Sequence, residues 1–319
     1  MRTTAFEAAK GRLLKLTRAR KEPIITPREG REWEAGGTFN PGAVVHRGEV
    51  HLLYRAVDAN GVSRFGYSQI RNGTEVDLRC WDPVFEPSAQ WEESGCEDPR
   101  ITKFDGTFYI TYTAFSWRGP RMALASTKDF VNFEKYGLVG PDCNDKDWVI
   151  FPERIDGRIA MLHRLESRVQ IAYFESFESL SDHSEFWKEY LKHLNDCEVM
   201  RGKCSWEAKK IGIGPPPIKT DLGWLVIYHG VSTDGIYRVG AALLDLDDPS
   251  KVLARTEEPI LEPEMEFEKH GVVPNVVFPC GAVVRDGKLW VYYGGADESS
   301  CVANAPFDEF LDELERSAW

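Results

Sequence analysis

The chain has 319 residues, 42% of them apolar and 12% aromatic, enough to bury a large core and too many for a disordered protein. Lys and Arg number 39 against 51 Asp and Glu, a formal charge of −12 that repels phosphate backbones and argues against a nucleic-acid partner. No apolar run is long enough to cross a membrane, so none is expected as a partner.

The first twenty residues, MRTTAFEAAKGRLLKLTRAR, lack the apolar stretch and small-residue cleavage site of a secretory signal. Seven cysteines are scattered along the chain without a CxxC pair, which suggests neither a metal site nor a disulfide framework. The expectation is free thiols in a reducing cytoplasm. Residues 3–19 place Phe6, Leu13, Leu14 and Leu16 among alanine, lysine and arginine, which predicts a short amphipathic helix. Residues 1–22 are therefore read as a helical extension, and its apolar stripe as a subunit contact in a homo-oligomer.

Five segments then share one pattern. They begin at Pro41, Pro99, Pro152, Pro216 and Pro279, run through a short apolar stretch, and turn at Gly48, Gly106, Gly157, Gly223 and Gly287. In three the turn is Asp-Gly, the strongest short hairpin signal. A second strand follows, with Tyr54, Tyr112, His163, His229 and Tyr293 at equivalent places and Arg55, Thr113, Arg164, Gly230 and Gly294 next to them. Further strands are expected at 63–70, 121–127, 169–174 and 237–246. Between the third and fourth units, an insertion over 175–206 carries Asp182 and Glu185 in capping-box spacing, with Phe186, Trp187, Tyr190, Leu191 and Leu194 at helical intervals. Five antiparallel units without αβα alternation predict an all-β fold over 23–319, a five-bladed β-propeller whose equivalent strands converge on one funnel. A β-sandwich of similar strand count is the alternative.

Two groups could carry chemistry. In Glu97-Asp98-Pro99-Arg100 the adjacent carboxylates of an extended chain face opposite ways, so one can enter the funnel. In a partly dry pocket its pKa rises and it can act as a general acid; the plainer reading pairs Asp98 with Arg100. Lys146, Arg164, Lys210 and His229 lie near the ends of inner strands of units three and four, and four cations around one funnel suit a small dianion. The glycine-rich run at 212–214 leads into three prolines and cannot open a phosphate-cradling helix, and there is no GxSxG, P-loop or HExxH.

The stretches FNPGAVV (39–45), LLYRA (52–56), EDPRIT (97–102), KDWVIFPERI (146–155), KKIGIGPPPIKT (209–220), VPNVVFPCGAVV (273–284) and YYGGAD (292–297) resemble glycoside hydrolase family 130, the β-mannoside phosphorylases. The likeness runs from about residue 22 to the end. It implies a five-bladed propeller with Asp98 as the proton donor, acting through a hydroxyl of the bound mannose. It implies phosphate on Lys146, Arg164, Lys210 and His229, with Lys146 standing where some members carry arginine. Asn40, Arg55, Tyr237, Glu268 and Asp297 match positions expected to line the mannose subsites. The implied reaction is inverting phosphorolysis of β-1,2- or β-1,4-manno-oligosaccharides to α-mannose 1-phosphate. Inorganic phosphate is then the co-substrate, with no metal or organic cofactor. One acid beside a basic cluster fits that chemistry, because an inverting hydrolase needs a second carboxylate to activate water. A β-mannosidase of the same family, a non-catalytic sugar-binding propeller and a furanosidase are the competing readings. The EDPR form and the 175–206 insertion lean toward β-1,2 members.

Overall fold

The computed structural model describes residues 14–181 and 184–317, and the architecture is mostly β. The strands are best followed in groups. After β1 (Thr17–Arg18), the first group is β2 (Gly37–His46), β3 (Glu49–Val57), β4 (Ser63–Arg71) and β5 (Glu75–Arg79). The second is β6 (Gly95–Phe104), β7 (Thr107–Ser116), β8 (Gly119–Thr127) and β9 (Phe133–Leu138). Both are antiparallel meanders, and a single parallel bridge between Ser63 and Gly95 joins them into one sheet. The third group is β10 (Lys146–Ile150), β11 (Ile159–Leu165), β12 (Arg168–Phe174) and, after helix α1 (Ser184–Lys192), β13 (Glu198–Met200). In the fourth, β14 (Lys210–Ile213) and β15 (Ile218–Thr220) both pair with β16 (Gly223–Val231), followed by β17 (Tyr237–Leu244) and β18 (Val252–Arg255). Helix α2 (Glu266–Lys269) precedes the last group, β19 (Val277–Arg285), β20 (Lys288–Gly295) and β21 (Ser299–Pro306), and α3 (Phe307–Glu315) follows it. The outer partner of β21 is β1, with Thr17 opposite Asn304, so an N-terminal strand completes the C-terminal sheet.

Apolar layers fill the spaces between consecutive groups. Leu53, Phe65 and Ile110 pack between the first and second; Leu124, Trp148 and Met161 between the second and third. Val149, Leu162 and Val226 join the third to the fourth, and Ile227, Val239 and Val291 the fourth to the last. A fifth layer, with Leu52, Tyr54, Tyr292 and Val302, joins the last group back to the first. Because both faces are covered, β16 reads GWLVIYHGV and is buried along its whole length. The outermost strand β5, EVDLR, is charged and mostly exposed, which blunts a free edge.

Four of the five expected hairpin turns have both central residues at positive φ, as at Asp105 (48°) and Gly106 (79°) or Asp286 (52°) and Gly287 (69°). The fourth differs: the turn falls at Asp221–Leu222 and Gly223 already opens β16. The third unit also differs from its expected layout. Its inner strand β10 precedes Pro152, and Pro152–Gly157 is loop and turn rather than strand.

Two helical expectations need correction. Residues 3–13 lie outside the described part, and residues 14–19 are not helical, since Thr17–Arg18 are strand. The insertion does contain a helix, but it falls inside the third group, between β12 and its outer strand β13, not between groups three and four. Trp187 and Tyr190 of α1 pack into the layer shared with the second group, and the Trp187 indole donates to the Val139 carbonyl (3.1 Å).

The feature that builds the site is a repeated break in the inner strands. Register shifts occur between Phe39 and Gly42, Glu97 and Arg100, and Pro279 and Gly281, each spanning a proline. Proline offers no N–H to the ladder, so the strand bulges and re-aims its neighbours. In β10 a shift between Lys146 and Val149 does the same without proline. At three of these bulges a residue stands in the left-handed region: Asn40 (φ 50°), Asp98 (52°) and Asp147 (62°). Asn and Asp tolerate that conformation best among residues with a Cβ.

Candidate active site

The bulge residues meet at a cavity of about 140 Å³ whose walls include Asn40, Asp98, Lys146, Asp147, Arg164 and Lys210. Arg55, His229, Tyr237 and Asp297 line it as well, beside the apolar Val273, Val276 and Phe278. One side is built around Asp98, which is 5% exposed. Its Oδ1 accepts from the Asn40 amide (2.8 Å) and from Arg55 (3.3 Å). Among the described residues, Oδ2 accepts no protein hydrogen bond. Arg55 also donates to Glu97 (2.8 Å) and to the Ser63 hydroxyl (2.9 Å), and Lys146 donates to the other Glu97 oxygen (3.2 Å). The two adjacent carboxylates therefore do not face opposite ways. The bulge turns both toward Arg55.

Arg100 does not pair with the Asp98 carboxylate either. It is 1% exposed and donates to the Asp98 carbonyl (2.9 Å), the Gly214 carbonyl (3.0 Å) and the Asp147 carboxylate (2.9 Å). It thus ties the second and third bulges to the fourth group. Asp147 is the hub of the other side of the cavity. Its second oxygen takes Arg164 Nε (2.6 Å) and lies 3.7 Å from His229 Nε2. Arg164 and Lys146 are direct cross-strand partners on β11 and β10, which brings two cations to one mouth. Lys210 begins β14, and its ammonium lies 5.2 Å from the Tyr237 ring centre. Among the described residues, neither that ammonium nor the terminal nitrogens of Arg164 have a protein hydrogen-bond acceptor.

Charges set the protonation states. Burial would raise the Asp98 carboxyl, but the Arg55, Lys146 and Arg100 cations and the Asn40 amide outweigh it and hold the pKa below the usual value. The raised carboxyl is instead Asp297, which burial pushes up to about 6, with Asp98 and Glu97 adding to the rise and Arg55 and Lys146 opposing it. Burial lowers Lys210 to about 8, helped by Arg164, Lys146 and Lys209 and opposed by Asp147. His229 is lowered to about 3, by burial first and then by Arg164, Lys210 and Arg100 against Asp147. It is therefore a neutral imidazole, not a fourth cation, and both its ring nitrogens are buried without a hydrogen-bond partner. An anion arriving between Lys146, Arg164 and Lys210 would meet open donors, an ammonium of weakened hydration and an imidazole able to donate.

A model of the β-1,4-mannooligosaccharide phosphorylase family matches residues 15–316. The chain belongs to glycoside hydrolase family 130. A 1,2-β-oligomannan phosphorylase of Thermoanaerobacter sp. (strain X514) is 42% identical over 295 residues, 89% of this chain and 95% of that protein. A β-1,2-mannobiose phosphorylase of the same strain is 38% identical over 308 residues, covering 91% and 97%. The solved structure of β-1,2-mannobiose phosphorylase from Listeria innocua, in complex with β-1,2-mannobiose, superposes with a TM-score of 0.81 at 29% identity, covering 94% of this chain and 99% of that one.

In this family 130 chain the cavity brings together nine of the ten residues singled out from sequence: Asp98; Lys146, Arg164, Lys210 and His229; Asn40, Arg55, Tyr237 and Asp297. Glu268 is elsewhere. It is fully buried on α2, where it accepts from Arg18 (2.8 and 2.7 Å), the Tyr293 hydroxyl (2.7 Å) and the Glu264 and Met265 amides. Its oxygens are occupied in anchoring β1 to the last group. Sequence reading missed Asp147 and the part played by Arg100. Both stand inside quoted stretches, KDWVIFPERI and EDPRIT. Aligning the units on their bulges instead of their prolines would have set Asp147 beside Asn40 and Asp98. A third missed feature is a buried chain behind Lys146: His163 bonds the Asp145 carboxylate (2.8 Å) and the Tyr190 hydroxyl of α1 (2.8 Å).

Proposed function

We propose that this chain is a phosphorylase that cleaves β-1,2-linked manno-oligosaccharides with inorganic phosphate and releases α-mannose 1-phosphate with inversion. The observation that carries the reading is Asp98, a carboxyl with an open oxygen, in the same small cavity as three cations with open donors. An inverting hydrolase needs a further carboxylate to activate water. Here Asp147 is held by Arg100 and Arg164, and Glu97 by Arg55 and Lys146; Asp297, the cavity carboxyl without an ion pair among the described residues, is assigned to the sugar in this reading. Phosphate replaces that base, because it arrives already anionic and needs only to be held and aimed. The β-1,2 linkage is favoured by the activities named for the relatives described above, against the β-1,4 description of the family model.

In this reading the mannosyl ring to be transferred lies against Asn40, Arg55, Tyr237 and Asp297, and phosphate lies on Lys146, Arg164, Lys210 and His229. Asp98 gives its proton, through a mannose hydroxyl, to the glycosidic oxygen as that bond breaks. A phosphate oxygen forms the new bond to the anomeric carbon from the opposite face. The depressed Asp98 pKa fits a donor that is armed late. Phosphate beside Lys146 offsets one of the cations that hold Asp98 ionised, so its carboxyl takes up a proton more readily once phosphate is bound. The scaffold we infer is a five-bladed propeller. Five antiparallel groups of four or five strands, five apolar layers with the last closing on the first, and β1 completing the final sheet support it.

Incubation with β-1,2- and β-1,4-mannobiose, with and without inorganic phosphate, tests the reading. Mannose 1-phosphate formed from the β-1,2 sugar only when phosphate is present is the expected result. Free mannose released regardless of phosphate would make the chain a hydrolase, and preference for the β-1,4 sugar would overturn the linkage.

A further inference from the structure

We propose that Trp117, in the hairpin between β7 and β8, is a stacking platform for the tail of the manno-oligosaccharide and favours chains longer than a disaccharide. The inference rests on the mannoside reading above. The cavity of about 140 Å³ is well below the ~300–1,000 Å³ of pockets that enclose whole drug-sized ligands. It can hold one sugar ring beside an anion, so the remainder of a chain must cross the rim.

Trp117 is 81% exposed, the most exposed large apolar side chain among the described residues. A single exposed apolar residue is ordinary; its position gives this one meaning. Along β7, Thr113 pairs with Glu97 beside the proton donor, and Phe115 pairs with Gly95. The Phe115 ring lies 6.0 Å from the Lys146 ammonium at the cavity wall. Trp117 follows two residues later. Four residues at ~3.3 Å each carry it up to ~13 Å beyond Thr113. That reach spans more than one sugar ring, so the indole is assigned to the second ring beyond the scissile bond rather than to the first.

The platform is held and furnished. The Trp117 amide donates to Glu93 (3.0 Å), and the Arg118 guanidinium lies 5.7 Å from the indole. The hairpin also abuts the loop leading to Lys146. Arg121 donates to Asn144 (3.1 Å), and Gly119, at φ +85°, sits where a Cβ would come within 2.5 Å of Asn144 Oδ1. A flat aromatic face with a guanidinium beside it, on a hairpin that also carries Glu93 and Asn144 contacts, suits a pyranose, whose C–H face packs on the ring while its hydroxyls find planar polar partners.

The test titrates β-mannobiose, β-mannotriose and β-mannotetraose into wild type, Trp117→Ala and Trp117→Phe by calorimetry without phosphate, and then measures phosphorolysis of each. Trp117→Ala should weaken the tri- and tetrasaccharide about tenfold, the scale of one lost aromatic anchor. It should leave mannobiose and the KM for phosphate within about twofold, and Trp117→Phe should recover most of the loss. Equal loss at every chain length, or none at all, would overturn the platform. Length-dependent binding to Trp117 without mannose 1-phosphate formation by the wild type would support the platform and sink the phosphorolytic reading. Absence of binding to any β-mannoside would sink both.

Discussion

Lys210 gives the sharpest test of the anion site, because its charge should fail within an accessible pH range. Burial, then the neighbouring Arg164, Lys146 and Lys209 cations, bring its ammonium from 10.5 to about 8, with Asp147 pulling the other way. For an amine, the charged form is the protonated one and is lost as pH rises through the pKa. With a pKa of about 8, roughly three quarters of the free enzyme carries the ammonium at pH 7.5 and roughly a tenth at pH 9, and affinity scales with that fraction. The kcat/KM for phosphate, measured at saturating mannoside, reports ionisations of the enzyme before phosphate binds. It should fall about eightfold over this interval, in which phosphate itself is already mainly a dianion. Lys210→Arg keeps its charge throughout, so its profile should be flatter by that factor even if its absolute affinity is altered. A flat wild-type profile, or an arginine variant that falls as steeply, would refute the placement of Lys210 in the anion site.

Other substitutions separate chemistry from architecture. Asp98→Asn should lower mannose 1-phosphate formation by about 10²–10⁴-fold with an unchanged far-ultraviolet spectrum, since an amide cannot give the proton; near-normal turnover would remove Asp98 from the reaction. Glu268→Gln should leave the KM for mannoside unchanged but cost about 3 kcal/mol, visible as a Tm lower by several degrees, because it removes the buried counter-charge of Arg18 and leaves only the exposed Glu264. A raised KM at unchanged Tm would instead return Glu268 to the sugar site. Tyr190→Phe leaves His163 Nε2 and the Ile171 carbonyl without a buried partner and should cost about 1–3 kcal/mol. If α1 also steadies Lys146 through His163 and Asp145, the KM for phosphate should rise while the KM for mannoside does not.

The strands and hairpins were legible because alternation, turn glycines and aromatic second strands are local signals, and they recur. The place of Asp98 was legible through the recurring proline, but its direction was not: the extended-chain reading missed the bulge that turns both Glu97 and Asp98 toward Arg55. Asp147 escaped because β10 makes its bulge without proline, and Pro152, two residues past the end of that strand, drew the alignment beyond it. Protonation states were the least legible. Burial alone predicts a raised Asp98, and only the positions of Arg55, Lys146 and Arg100 show that it is lowered while Asp297 is raised. The same limit applies to His229, which a residue count makes a cation and its surroundings make neutral. Glu268 matched a family position, but nothing local to EMEFEKH reveals that Arg18, 250 residues earlier, claims its carboxylate.

The arrangement of charge is what would let so acidic a chain hold a dianion in this cavity, as proposed. Three inner carboxylates are assigned to cations within the protein: Glu97 to Arg55 and Lys146, Asp98 to Arg55, Asp147 to Arg100 and Arg164; Asp297 has no ion pair among the described residues. Such buried pairs add little net stability, but they fix where each side chain points. Arg55 and Arg100 spend their donors on the protein and act as framework. Lys146 and Arg164 are only partly engaged, and Lys210 has no carboxylate partner among the described residues. The cations left over, Lys146, Arg164 and Lys210, line the same cavity as Asp98, and in the proposed reading they hold the attacking phosphate there. In the proposed mechanism, proton donor and nucleophile are then coupled through Lys146: an anion that draws on its charge would also let Asp98 become an acid, so leaving-group protonation would be favoured when the nucleophile is in place.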